Sequence, residues 1–298
     1  MAGRSPDPLE ILARYPREQV ERLLRIPNER LHRDVAEIAE LAKPSSLFVH
    51  TGSPEDREYV RRRALERREE LPSKHPKHTV HFDGPRDLAR DKANTRILVA
   101  GGREVPLVNT LDRDAGLREV AKLLEGVMEG REMLVAFYLY GPPGSPYTLH
   151  GVQITDSAYV VHSEDILYRN GYSAFAERGG GIEYMLFVHA TGALDENGWC
   201  REVEKRRVYI DPEGNATYSV NTQYAGNTVG LKKLALRLAV YKGFREGWLA
   251  EHMFIVGVKG PGGRISYFTG AFPAGCGKTA TAMIADTVVG DDLALVRE

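Results

Sequence analysis

Two stretches near the end of the chain carry chemically capable residues at the spacing their chemistry needs. The first is Gly270-Ala271-Phe272-Pro273-Ala274-Gly275-Cys276-Gly277-Lys278-Thr279. A glycine-rich turn after a strand and before a helix aims successive backbone N–H groups and the helix N-terminus at one point, which suits a phosphate. In such a turn Lys278 reaches the terminal phosphates, and the Thr279 hydroxyl helps to hold their Mg2+. The general spacing Gly-x-x-x-x-Gly-Lys-Ser/Thr asks for glycine where Phe272 stands, and an ordinary helix start is the alternative. The second stretch is Val288-Val289-Gly290-Asp291-Asp292, whose first aspartate lies thirteen residues beyond Lys278. An apolar run ending in two aspartates suits a strand tip that delivers carboxylates to a metal ion. A surface turn accounts for the same residues equally well.

These stretches need elements to hold them. The first forty residues have helical period: Val20, Leu23 and Leu24, then Leu31, Val35 and Ile38, recur at three- and four-residue spacing. Pro27 divides the run. A further helix starts at Ser53-Pro54-Glu55-Asp56, with an N-cap, a proline at the first helical position and acids beside the positive end of the dipole. From residue 55 to 70 six arginines face six acids, which predicts a solvated, ion-paired face rather than a nucleic-acid patch. His75, His78 and His81 follow in a basic loop without nearby acidic or thiol partners, so no metal is expected there. Strands are predicted at 95–100, 133–140, 151–155, 158–162, 184–190 and 206–210. A hairpin turns at Pro212-Glu213-Gly214-Asn215, and residues 230–244 return to helical period with Leu231, Leu234, Leu238 and Tyr241 on one side. A second hairpin turns at Gly260-Pro261-Gly262-Gly263, and a short helix spans 278–285. The fold class is α/β, with mixed sheets and helices.

Composition excludes several roles. Forty Lys+Arg against 41 Asp+Glu leave a net charge of −1, which removes the sequence-independent electrostatic case for nucleic acid or an anionic membrane. Hydrophobic residues at 42% and charged residues at 27% are those of a globular protein. Two cysteines, Cys200 and Cys276, cannot build a disulfide framework and favour a reducing compartment. No apolar run approaches the ~18 residues of a membrane span, and the first residues lack a signal-peptide core. A cytoplasmic enzyme is expected.

At Phe272-Pro273-Ala274-Gly275-Cys276-Gly277-Lys278-Thr279 the sequence resembles the nucleotide loop of the GTP-dependent phosphoenolpyruvate carboxykinases, with its leading Phe-Pro and its central cysteine. Three further blocks fit that family in order. Gly141-Pro142-Pro143-Gly144-Ser145-Pro146 with Ile154-Thr155-Asp156-Ser157-Ala158-Tyr159-Val160-Val161 is one. Tyr224-Ala225-Gly226-Asn227 with Lys232-Lys233 is similar to the substrate and metal loop, and Glu246-Gly247-Trp248-Leu249-Ala250-Glu251-His252-Met253 completes the set. Asp87-Leu88-Ala89-Arg90 fits the family's Asp-x-Ala-Arg.

The resemblance implies the reaction of oxaloacetate with GTP to give phosphoenolpyruvate, CO2 and GDP. By it Arg90 clamps a substrate carboxylate with its planar fork, while Tyr224, Ala225 and Gly226 line the oxaloacetate site. Lys233, His252 and Asp292 hold the catalytic Mn2+, with Lys232 beside them as a catalytic cation. Residues Ala274, Gly275, Cys276, Gly277, Lys278, Thr279 and Asp291 bind the nucleotide, Thr279 on its Mg2+, and Cys276 is the loop's reactive thiol. Without the resemblance His252 reads as a core histidine, Lys232-Lys233 as a solvated helix face, Tyr224 as a strand-end aromatic and Arg90 as a surface residue.

Two residues depart from the family pattern. Ala274 stands where serine is usual and Ala225 where glycine is usual, and the latter restricts the backbone. The resemblance implies an N-terminal substrate-binding domain over residues 1–247 and the incomplete start of a P-loop-like nucleotide-binding domain over 248–298. The guanine pocket falls outside the chain. A fragment inactive alone is therefore expected, whose missing C-terminal half is a candidate separate chain. The rival expectations are a non-catalytic module for metal and dicarboxylate, or one subunit of a split enzyme. Neither nucleic acid nor membrane is an expected partner.

Overall fold

The computed structural model describes residues 7–87, 91–102, 105–226, 228–273 and 275–298, and its largest feature is a mixed sheet of nine strands. From one edge the order is Ser46–Val49, Glu132–Tyr140, Leu149–Thr155, Tyr184–Ala190, Ala216–Val220, Arg207–Asp211, Thr95–Val99 and Thr110–Asp112. Arg169–Asn170 pairs with the second of these. Glu132–Tyr140 and Tyr184–Ala190 are buried along their whole length, as their apolar runs require when helices cover both faces. One face carries the helices Pro8–Leu12, Arg17–Leu24, Glu29–Ala42 and Arg113–Leu124 over the main core, in which Leu12, Leu23, Leu31, Val120 and Leu124 meet Phe137, Val152 and Val188. On the other face Pro54–Glu66 and Ala158–Leu167 cover Phe48, Leu134 and Tyr138. The helix Thr228–Glu246 lays Leu231, Leu234 and Leu238 on Met185, Val208 and Ile210.

The predicted α/β class with mixed sheets is the observed one, and the N-terminal helices and the Ser53 cap form as their signals require. Pro27 separates Arg17–Leu24 from Glu29–Ala42, and the Asn28 side chain accepts from Leu31 N. Ser53 accepts from Asp56 N; such a cap contributes about 1 kcal/mol.

Three expectations are corrected. Residues 158–162, read as a strand, begin the helix Ala158–Leu167. Ser157 Oγ accepts from Val160 N at 3.2 Å, and the Glu69 carboxylate accepts from Tyr159 N at 2.9 Å. Two free N–H groups of a helix start are thereby satisfied, and that outweighs the strand preference of Val160 and Val161. The acids between residues 55 and 70 do not all belong to a solvated face. Asp56, Glu69 and Glu70 are buried, where Asp56 takes Arg22, Glu69 takes Ser157 and Glu70 takes His162. His81 does have an acid beside it: its Nε2 lies 3.2 Å from Asp83 Oδ1, and its ring stacks on Tyr159.

Residues beyond the long helix form smaller sheets. Phe254–Lys259 lies between Ile265–Gly270 and Thr287–Gly290, antiparallel to both, and Leu249–Glu251 pairs with Ala294–Val296. Gly262 and Gly263 take positive φ in the first of these connections. Ile265, Tyr267, Phe268, Met283 and Ile284 are exposed here. Among the described residues no helix is long and apolar enough to cross a membrane.

Candidate active site

The strand Thr287–Gly290 ends at Asp291 and Asp292, so both carboxylates stand at a strand tip. Asp292 is the centre of the site. Its Oδ1 meets His252 Nε2 at 2.6 Å and also takes the ammonium of Lys278, while Oδ2 takes that of Lys232. His252 reaches it from the turn after Leu249–Glu251, Lys278 from the first position of the helix Lys278–Met283, and Lys232 from the second turn of Thr228–Glu246. Burial alone would raise the Asp292 carboxyl; Lys232 and Lys278 outweigh it and hold its pKa below the ordinary carboxylate value. Lys278 Nζ also donates to Asp291 O at 2.9 Å, and Thr279 Oγ1 donates to Asp291 Oδ2 at 3.3 Å.

The glycine-rich turn stands beside this cluster. Gly275 and Gly277 have φ of 81° and 82°, a left-handed conformation that favours glycine. Cys276 is exposed, and its N–H donates to Pro273 O at 3.2 Å. Phe272, which occupies the place of the general pattern's first glycine, stacks on Phe254 with ring centroids 5.7 Å apart. That ring anchors the turn to the strand beneath it. Ala274 and Arg90, both expected in the site, lie outside the described residues.

A cleft of about 420 Å³ opens next to Asp291 and Asp292, walled by Tyr140, Tyr168, Lys232 and Thr279. Burial pushes the Tyr168 phenol well above its usual range, and the charges of Glu164, Asp292 and Asp291 add to the shift.

Tyr224, Ala225 and Gly226 form one 3-10 turn immediately before the long helix. Ala225 is buried against Leu231 and Leu234 without a positive φ, which is why alanine is accommodated there. A Cβ on Gly226 would come within 2.3 Å of the His189 ring, so this glycine is fixed by close approach. Tyr224 faces away from the Asp292 cluster: Lys233 Nζ lies 3.5 Å from its hydroxyl.

The lysine pair is thus divided. Lys233 was the sequence-expected companion of His252 and Asp292, yet the structure turns it to Tyr224 and brings Lys232 to Asp292. Helix geometry gives the reason. At roughly 100° per residue, Lys232 borders the stripe of Leu231, Ala235 and Ala239 that packs inward, whereas Lys233 lies farther round. Nitrogen and oxygen groups therefore converge from Lys232, His252 and Asp292, a mixed N/O set of a kind that can hold a divalent transition metal. Among the described residues no three His, Cys, Asp or Glu side chains gather in a metal-binding group, so a metal here depends on the lysine. Asp87, Arg206 and His189, which hold the Tyr224 turn, carry no site signal by pattern; two of them sit in or beside strands, and Asp87 is only the first letter of Asp-x-Ala-Arg.

Residues 34–244 match the phosphoenolpyruvate carboxykinase N-terminal domain, and residues 248–298 match the phosphoenolpyruvate carboxykinase C-terminal P-loop domain. The chain belongs to the phosphoenolpyruvate carboxykinase family. Similar relatives include the phosphoenolpyruvate carboxykinase (GTP) of Pyrococcus abyssi, 50% identical over 291 residues, which are 97% of this chain and 47% of that one. That of Thermococcus kodakarensis is 52% identical over 281 residues, 94% of this chain and 45% of the relative. That of Saccharolobus solfataricus is 48% identical over 282 residues, 95% and 44%. The chain spans about half the length of the curated relatives it matches. The junction between the two phosphoenolpyruvate carboxykinase domains, after residue 244 and before 248, falls at the end of the helix that carries Lys232.

Proposed function

We propose that the chain provides the substrate and metal side of a GTP-dependent phosphoenolpyruvate carboxykinase, which converts oxaloacetate and GTP to phosphoenolpyruvate, CO2 and GDP. Residues 1–247 are read as the substrate-binding domain and 248–298 as the opening of the nucleotide-binding domain. The observation that carries this reading is the convergence of Lys232, His252 and Lys278 on Asp292 beside a glycine turn.

Lys232, His252 and Asp292 would hold Mn2+, the lysine as its neutral amine. Loss of CO2 from oxaloacetate leaves an enolate, whose negative charge a divalent cation at this position would stabilise. Tyr224, Ala225, Gly226 and Arg90 would receive the substrate. Gly275, Gly277 and the backbone at Ala274 and Cys276 would cradle the GTP phosphates. Lys278 would neutralise phosphoryl charge, with Thr279 and Asp291 serving Mg2+. Lys232 and Lys278, now both spent on Asp292, would be redistributed when cation and phosphate charge enter. A cytoplasmic location accords with free Cys200 and Cys276.

A second reading is a subunit that binds metal and dicarboxylate but turns over only with a complementary polypeptide. The exposed Tyr267 and Phe268 on the strand Ile265–Gly270, with Met283 and Ile284 at the end of the helix Lys278–Met283, favour it.

Mn2+ titration followed by the electron paramagnetic resonance of the free ion tests the metal assignment. The wild-type chain should take up one Mn2+, and Asp292→Asn and Lys232→Met should each weaken it at least about tenfold, the usual cost of disturbing a metal site. Lys233→Met should leave the affinity nearly unchanged. Equal losses at the two lysines, or none at Asp292, would contradict the assignment.

A further inference from the structure

We infer that Asp87 and Arg206 are positioning residues of the substrate site, which act by fixing the direction in which Tyr224 leaves its turn. The inference rests on the proposed role of Tyr224 in substrate binding.

Asp87 is only 2% exposed, yet it belongs to a loop rather than to the core. Its four acceptor positions are all taken up. Oδ1 accepts from Thr222 Oγ1 and from Arg206 Nη1, each at 2.6 Å. Oδ2 accepts from the backbone N–H of Gln223 at 2.5 Å and of Tyr224 at 3.4 Å. Three of the four donors therefore come from consecutive residues, Thr222 to Tyr224. Holding two successive N–H groups on one carboxylate oxygen fixes the peptide planes on the N-terminal side of Tyr224, and with them the start of its side chain.

Arg206 supplies the compensating charge and the anchor. Beyond Asp87 its Nε and Nη2 donate to Asp91 Oδ2 at 2.9 and 2.7 Å. A planar guanidinium that joins two carboxylates at fixed angles is a rigid spacer, which a lysine ammonium would not reproduce. Asp91 is tied in turn to Asn94.

The far side of the turn is gripped independently. His189 is buried, and its Nε2 lies 2.6 Å from Thr222 O. A carbonyl accepts only, so Nε2 carries the proton. Nδ1 then accepts from Thr155 Oγ1 at 2.7 Å, and Thr155 Oγ1 accepts from Ser157 N. The ring of His189 also fills the space over Gly226. Between Asp87 and His189 the backbone of residues 222–226 has no latitude, while the phenol of Tyr224 stays half-exposed toward Lys233. A stabilising network alone would not need to converge on the backbone beside Tyr224, whose side chain lines a second cleft together with Lys233 and Arg237.

A double-mutant cycle on the whole 298-residue chain tests this, with phosphoenolpyruvate titrated in the presence of saturating Mn2+. Asp87→Asn keeps the shape but presents an NH2 group to donors. It should weaken phosphoenolpyruvate by about tenfold while Mn2+ affinity stays as in the wild type. In a Tyr224→Ala background the same substitution should cost less than about twofold, because its target has gone. Arg206→Lys should reproduce the pattern, and carries the comparison should Asp87→Asn fail to fold. A full loss that persists in the Tyr224→Ala background, a parallel loss of Mn2+, or unchanged phosphoenolpyruvate affinity would overturn the inference. A wild-type chain that takes up Mn2+ but no phosphoenolpyruvate would overturn the substrate reading itself, and this inference with it.

Discussion

Asp292 is asked to satisfy two ammonium groups and an imidazole with two oxygens. That crowding makes chemical sense if the cluster is a resting arrangement of ligands. Cys276 offers a second test at the scale of the single residue. It is exposed in the glycine turn, whereas Cys200 is buried and its thiol is pushed up to about 12, chiefly by burial. Iodoacetamide should therefore modify Cys276 well before Cys200, as peptide mass mapping would read. GTP should slow that labelling; a rate indifferent to nucleotide would contradict the placing of phosphates at this turn. The types of the site residues were legible in the sequence. Lys278, Thr279, Asp291 and Asp292 stand out by motif and spacing and His252 only by the family resemblance, and the structure brings them together. What spacing could not decide was which of two adjacent lysines lies against Asp292, since that depends on the rotation of a helix about its axis. Asp87 and Arg206 were illegible as partners because 119 residues separate them.

At the scale of elements, the long helix Thr228–Glu246 links the Tyr224 turn to the Asp292 cluster. Its first turn follows directly on Tyr224–Gly226, and Lys232 lies on the next. The turn is therefore sensitive to a single methyl. Gly226→Ala would drive a Cβ into the His189 ring, which cannot swing away because both nitrogens are engaged. Such overpacking costs about 1–3 kcal/mol, and urea unfolding should register it; a midpoint equal to the wild type's would contradict the close packing described. Local signals sufficed for the capped N-terminal helices and for the two hairpins, whose turn residues are glycine or asparagine at positive φ. They failed at Ala158–Leu167, where Glu69 reaches from 88 residues away to the Ser157 side chain at the helix start. A tertiary carboxylate overrode a β-branched pattern there, and no window on the sequence contains both.

At the scale of the whole molecule, a large mixed sheet presents a helix, and that helix presents a lysine to a carboxylate from a much smaller sheet. The nine-stranded sheet is covered on both faces, whereas residues 249–296 leave Tyr267, Phe268 and Ile284 in solvent. Rigidity and exposure are thus divided between the Tyr224 turn and the glycine turn at 275–277. The binding chemistry proposed here needs both the Tyr224 turn and the Asp292 cluster in one piece. The most direct measurement is isothermal titration of phosphoenolpyruvate into the 298-residue chain with and without Mn2+. Saturable binding that appears only with Mn2+ and disappears in Asp292→Asn is the predicted result. Equal binding in the absence of metal, or binding that survives in Asp292→Asn, would contradict the account.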